Sequence, residues 1–341
     1  MKRLKAMTVR IGLLGILPFT LISCQSKTQR NKQIATIDST LQVKVTSILK
    51  NKLSELYALS GQTIIMEAQT GHIKAMIGLK KKDSANYQPC ENFSQAYESA
   101  LIHPISILAA LETGKVKLAN TINVGDGIYI CKEDTIKDHN WHRGGYGKIT
   151  VEWAIAANSR IGEVLIRERA FGDKKSEYEA AIGQIGYGKP DSVKGLDCIL
   201  NTDVAASKIS PIQLITFYNA IANHGRMVQP QLYKDSVAII SPLIASKASI
   251  DSIRQTLERT VAEGLGKRAN TNKAKVAGKG GTIQIGNPDD LTYIIDFCSY
   301  FPTGNPRYTI LVVLEKQGLP ASGHIHAAEL FRQIVEQLIK N

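Results

Sequence analysis

The pattern of apolar residues differs between the ends of this 341-residue chain and its middle, and that difference restricts the fold more than any other feature. Near the start, Thr63–Met66 and His72–Ile77 read as short strands joined by a hairpin turn at Thr70-Gly71. Near the end, Lys275–Gln284, Leu291–Tyr300 and Tyr308–Leu314 read as three more, separated by turns rich in Gly, Asn, Pro and Asp. Helical spacing dominates between them, over Ala100–Leu111, Val151–Arg167, Pro211–Asn223 and Ile250–Glu263. Leu41, Val45, Ile48, Leu49, Leu53 and Leu56 place an earlier helix behind a cap at Asp38 or Ser39, and an amphipathic helix over His326–Ile339 closes the chain. Strands at both ends and helices between them predict one sheet assembled from distant segments, with a helical insertion.

The first residues read as an address. Lys2, Arg3, Lys5 and Arg10 precede an apolar run from Ile11 to Ile22, too short to span a membrane comfortably. The ending Leu21-Ile22-Ser23-Cys24 resembles the lipobox of bacterial lipoproteins, which implies acylation of Cys24 as the new N-terminus. The expected organisation is a signal over residues 1–23, a short polar tether over 24–35 and a folded domain over 36–341. Acyl chains on Cys24 would supply membrane affinity that the peptide lacks.

Composition enters as exclusion. With 43% apolar and 21% charged residues the chain is neither disordered, collagenous nor coiled coil, and no apolar run reaches a full membrane span. The formal charge of +12 falls to +8 when the four basic side chains of residues 1–23 are removed, since that segment holds no acidic ones. No block of basic residues with interleaved aromatics marks a nucleic-acid site. A basic exterior suits an anionic membrane or wall polymer. Cys90, Cys131, Cys198 and Cys298 are widely spaced and lack any Cys-x-x-Cys, which argues against zinc. In an exported protein Cys90–Cys131 is the disulfide to test, with four free thiols as the alternative.

Several landmarks occur in a fixed order. They are Thr36–Gln42, Glu67–Met76, Asp138-His139-Asn140-Trp141, Gly144–Thr150, Ser210–Leu214 with Ala220–Gly225, Val276–Thr282, and Tyr300-Phe301-Pro302 with Asn305–Tyr308. The ordered set resembles the transpeptidase domain of class B penicillin-binding proteins. The resemblance implies a mixed α/β fold of the penicillin-binding and β-lactamase-like kind, with a central, mostly antiparallel sheet flanked by helices. No counterpart of that family's N-terminal module is read before residue 36, and the lipid on Cys24 stands in for its membrane anchor. The implied chemistry is acyl transfer. A serine attacks the penultimate carbonyl of a D-Ala-D-Ala peptide or a β-lactam, a lysine three residues on activates it, a Ser-x-Asn element shuttles protons, and a Lys-Thr-Gly strand holds the substrate carboxylate. Residues i and i+3 share a helix face, so that amine can reach that hydroxyl.

All three motifs depart from the pattern. In Tyr97-Glu98-Ser99-Ala100-Leu101-Ile102-His103-Pro104, anchoring on Pro104 puts Ala100 at the nucleophile and His103 at the lysine, whereas anchoring on Glu98 puts Leu101 and Pro104 there. Ser99 and Ser106 are followed three residues later by Ile102 and Ala109. Ser47-Ile48-Leu49-Lys50 has the right spacing on the wrong side of the hairpin, so Ser47 and Lys50 read as ordinary helix residues. The second motif aligns with Asn158-Ser159-Arg160-Ile161-Gly162, where an arginine cannot shuttle protons near neutral pH. The third reads Lys279-Gly280-Gly281-Thr282 and lacks the carboxylate-binding hydroxyl.

A pseudo-transpeptidase is therefore expected, with no catalytic residues and no cofactor or metal, tethered to the outer side of a bacterial membrane. It would act as a scaffold or regulator of cell-wall synthesis proteins, or as a receptor for peptidoglycan peptides. His103, Ser159, Arg160, Lys279 and Thr282 are the candidate ligand contacts, because His103, Arg160 and Lys279 would gather cations for an anion. His324, His326, His139 and His142 lack an acidic or cysteine cluster for a metal, Trp141 and Trp153 read as core or cleft wall, and Asp138 and Asn140 as cleft rim. The rival readings are a working transpeptidase using His103 as base with Ser99 or Ser159, and a non-covalent β-lactam sensor.

Overall fold

Both ends of the chain meet in one sheet. A computed structural model describes residues 34–84, 86–131, 134–186, 208–285 and 291–340. The N-terminal strands are β1 (Ser60–Glu67), β2 (Ile73–Lys81) and the short β3 (Tyr87–Pro89); the C-terminal strands are β4 (Ala277–Ile285), β5 (Thr292–Phe301) and β6 (Tyr308–Gln317). The sheet order is β4-β5-β6-β1-β2-β3, and every neighbouring pair is antiparallel. Strand β6 pairs with β1 from Ser60↔Glu315 to Glu67↔Tyr308, which joins segments about 250 residues apart in sequence.

Each face carries its own core. Helix α1 (Ser39–Leu56) starts at Asp38, whose carboxylate accepts from the Leu41 backbone N–H at 2.9 Å, and its Leu41, Val45, Leu49 and Leu53 pack with Ile65, Phe297, Val312 and the C-terminal helix. Ser47 and Lys50 are exposed on it. The opposite face is covered by α2 (His103–Glu112), α3 (Val151–Ala156), α4 (Arg160–Phe171), α5 (Lys175–Gln184), α6 (Pro211–Ala222) and α7 (Lys247–Ala262); α8 (Ala328–Ile339) closes the chain beside α1. A capping box between Ser210 and Gln213, with Pro211 behind it, starts α6.

Three expectations change. The single helix expected over Val151–Arg167 is two, because Asn158 adopts a left-handed φ of 51° and Ser159 then caps α4. Helix α5 has no counterpart among the sequence-derived elements. Cys90 is a free thiol, so the Cys90–Cys131 bridge does not form; Cys131 is disulfide-bonded, and Cys298 is free and buried. Cys198 and the signal segment with Cys24 lie outside the described residues. No helix among the described residues is long and apolar enough to cross a membrane. The folded unit begins at Ile34, and Ala35 already bridges to Tyr233.

Candidate functional site

A 3-10 turn, Ala100–Ile102, leads into α2, and strand β4 runs beside it. Ala100 lies against β4: a Cβ on Gly281 would stand 3.1 Å from the Ala100 methyl. One turn later His103 opens α2, buried to 9% exposure, and its Nδ1 lies 3.0 Å from Glu163 Oε2 on α4. Lys279 on β4 is 1% exposed and donates to the Asn158 side-chain oxygen. His103, Asn158, Ser159, Glu163 and Lys279, with apolar neighbours from α2, α3 and α4, line a small, partly open cavity.

The cavity balances its own charges. Burial pushes the Glu163 carboxyl up, but His103, then Arg167 and Lys279, pull it down to about 2. Burial lowers His103 against the pull of Glu163, and burial lowers Lys279 to about 8 despite Glu163 and Asp296. The Glu163 carboxylate is therefore ionised across the neutral range. Arg167 is buried and lies 5.9 Å from the Tyr178 ring centroid.

Each hydroxyl near Ala100 is already committed. Ser99 is 0% exposed; it accepts from the Leu101 N–H at 3.0 Å and donates to Asp296 Oδ2 at 2.6 Å. Ser106 is equally buried and bonds the Tyr178 hydroxyl at 2.7 Å. Ser159 is 4% exposed, accepts from the Gly162 N–H at 2.9 Å and donates to Asp138 Oδ2 at 2.6 Å. Asp138 also accepts from the Ile161 N–H at 3.1 Å, so it and Ser159 together cap α4. A nucleophile must approach its carbonyl to roughly 3–3.5 Å; Ser99 and Ser106 are 0% exposed, whereas Ser159 lines the cavity but holds the α4 cap.

Of the sequence-derived candidates, His103, Ser159 and Lys279 come together with Asn158. Arg160 is exposed at the start of α4 and is not part of the cavity lining. Thr282 accepts from the Gly323 N–H at 3.0 Å. Gly280 is pressed by the turn before α8: a Cβ there would meet the His324 ring and backbone nitrogen at 3.0 Å. Burial, then Lys279 and His139, drive His324 down to about 3, so the ring is neutral. Restoring a threonine by Gly280→Thr is expected to cost about 1–3 kcal/mol through overpacking, read as a lower denaturation midpoint with unchanged slope. The described residues hold no group of three His, Cys, Asp or Glu side chains arranged for a metal. Trp141 is 44% exposed, outside any core, and Trp153 lies 5.3 Å from the Arg259 guanidinium.

Two residues escaped the sequence reading. Glu163 is an acid on the buried face of α4, four residues before a buried arginine, and that spacing was the available signal. Asp296 is the lone acid in the apolar strand β5. Burial pushes its carboxyl up to about 7 against the Ser99 and Tyr97 hydrogen bonds, and Oδ1 has no partner among the described residues. A folded-state value above the usual 3.8 means that stability is fully present below about 3.8 and is lost as pH rises through about 7. Asp296→Asn keeps an acceptor for Ser99 and removes the ionisation. The variant is expected to be more stable at pH 8 by a few kcal/mol, on the order of 4 at most, with the gain vanishing towards pH 4 in paired melts.

Comparison with known proteins agrees with this fold. Residues 61–336 match the family model described as the penicillin binding protein transpeptidase domain. A protein named peptidoglycan D,D-transpeptidase FtsI homolog from Mesostigma viride is 22% identical over 89% of this chain and 60% of its own length. Stage V sporulation protein D of Bacillus subtilis is 23% identical over 82% of this chain and 49% of its own. The chain thus spans about half to three-fifths of these curated relatives. Among solved structures, the transpeptidase domain of Burkholderia pseudomallei penicillin-binding protein 3 superposes with a TM-score of 0.74 at 21% identity, covering 90% of this chain and 96% of that one. Penicillin-binding protein 3 of Mycobacterium tuberculosis gives 0.75 at 21% identity, covering 90% and 79%.

Proposed function

Because the chain belongs to the penicillin binding protein transpeptidase domain family, we propose that it serves peptidoglycan biogenesis by binding rather than by acyl transfer. It is an exported protein held at the membrane through a lipid on Cys24, and it engages peptidoglycan peptides or the proteins that build the wall. The observation that carries this reading is the methyl group of Ala100 where the resemblance calls for an attacking oxygen, together with the burial of Ser99 and Ser106 beside it. The rival in which Ser99 or Ser159 attacks would have to break a helix cap first. Lys279 supports the same reading: its amine is spent on Asn158 instead of a serine. Arg160, exposed at the start of α4 and outside the cavity lining, is a cation available to an anionic group of a ligand.

Muropeptides titrated into the full protein test the proposal, with intact mass recorded after β-lactam exposure. Saturable binding without mass gain is expected, and a pull-down from membranes should return a wall-synthesis protein. A stoichiometric acyl adduct, or the loss of both binding and partner, overturns it.

A further inference from the structure

The loop that carries the Asp138 cap is built to display side chains outwards. Its base is fixed: Asp138 is 0% exposed and tied to α4 through Ser159 and the Ile161 N–H. Its return strand is fixed too, since Gly147 N–H donates to Gly125 O and Val124 N–H to Gly147 O, both at 2.8 Å. Gly145, at φ 68°, passes so close to residues 125–127 that a Cβ would lie 2.2–2.5 Å from their backbone. Between these anchors stands the short turn Trp141–Arg143. Trp141, His142 and Arg143 are exposed, as are Lys137 and Lys148 on either side. Lys137 Nζ lies 4.4 Å from the centroid of the Trp141 ring, and Tyr146 is bonded to His139 at 3.1 Å. Asp126 is the exposed acid facing this loop from the segment beneath it.

We infer that this loop is a binding surface for an acidic polysaccharide, a strand of hexose rings carrying carboxylates. A rigid, half-exposed indole offers a flat apolar face to the C–H face of a sugar ring at little entropic cost. Lys137, placed over the ring, and the exposed Arg143 supply cations beside it, and a guanidinium pairs a carboxylate in two-point geometry. The loop's backbone N–H groups are spent on its own turns, with Arg143 N–H on Asn140 O, Gly144 N–H on Trp141 O and Gly145 N–H on Asn140 O, so it offers no ladder to an extended peptide. The inference rests on the wall-binding reading and adds a glycan contact to it, joined to the cleft through Asp138 and Ser159.

The chain has two tryptophans, so Trp153→Phe leaves Trp141 as sole reporter. Peptide-free peptidoglycan glycan strands, which carry carboxylates, are titrated into this full-length variant, with neutral chitin oligosaccharides as comparator. A saturable emission change is expected with the acidic strands, at least tenfold weaker with the neutral ones. The combined Lys137→Gln, Arg143→Gln change is expected to weaken strand binding at least tenfold while the melting temperature stays within a few degrees. No emission change with glycan strands overturns the inference, as does equal binding of the neutral oligosaccharide. An emission change with anionic vesicles but not with glycan overturns it in favour of a membrane contact. Muropeptide titration of the same variant separates the two claims: if muropeptides bind and glycan does not, only the loop assignment fails.

Discussion

Incubated with a fluorescent penicillin, the protein is expected to yield no covalent band at concentrations and times that label a working transpeptidase to completion. Where a nucleophile and its base act as a unit, loss of the nucleophile alone slows turnover on the order of 10⁶-fold. On the proposed register, anchored on Pro104, those two positions hold Ala100 and His103. Ala100→Ser alone is not expected to restore labelling, because the Nδ1 of His103 is held 3.0 Å from Glu163 and no lysine stands one turn on. The double variant Ala100→Ser, His103→Lys brings an amine to that turn, with Glu163 to neutralise it, and is the form in which an adduct should be sought. Labelling of the unaltered protein at one equivalent would overturn the proposal of a non-acylating protein, whereas weak labelling of the double variant alone would support it.

Replacing Glu163 should have the largest effect on stability. The carboxylate pairs with His103 and lies in the field of two further buried cations, Arg167 and Lys279. Removing one partner of a buried pair typically costs about 3–5 kcal/mol, because the remaining charges stay desolvated. For a domain of this size Glu163→Ala is expected to lower the melting temperature by on the order of 10 °C. Glu163→Gln, nearly isosteric, separates charge from shape. The carboxyl sits at about 2 rather than the usual 4.5, so its contribution is present above about 4.5 and lost as pH falls towards 2. The gap between the unaltered protein and Glu163→Gln should therefore be widest near neutrality and narrow below pH 4.5. A constant gap across that range would mean that the residue acts by packing alone.

The sheet and its neighbours were legible because period-two and period-3.6 patterns are local. The strands over residues 63–77 and 275–314 needed only alternation and turn residues, and so did the helices behind Asp38 and Ser210. What failed depended on contacts that a local pattern does not contain. The break between α3 and α4 sits in a run that is apolar at helical spacing, and only the cap from Asp138, 21 residues earlier, explains why Ser159 starts a new helix. The site was half legible. His103 and Lys279 could be read from motif order, but Glu163 and Asp296 could not, since they lie on other elements. Arg160 was grouped with His103 and Lys279 because the resemblance brings the three motifs to one cleft, and the start of α4 leaves it on the surface instead.

The packing of His324 over Gly280 bears on how such a chain could change through time. A single reversion at position 280 meets an imidazole and a backbone; one at position 100 meets a histidine already engaged elsewhere; one at position 160 leaves both untouched. On the binding-only proposal, a threonine at position 280 and a serine at position 100 are each unproductive alone, so acyl transfer would be reached from this arrangement only by several changes made together.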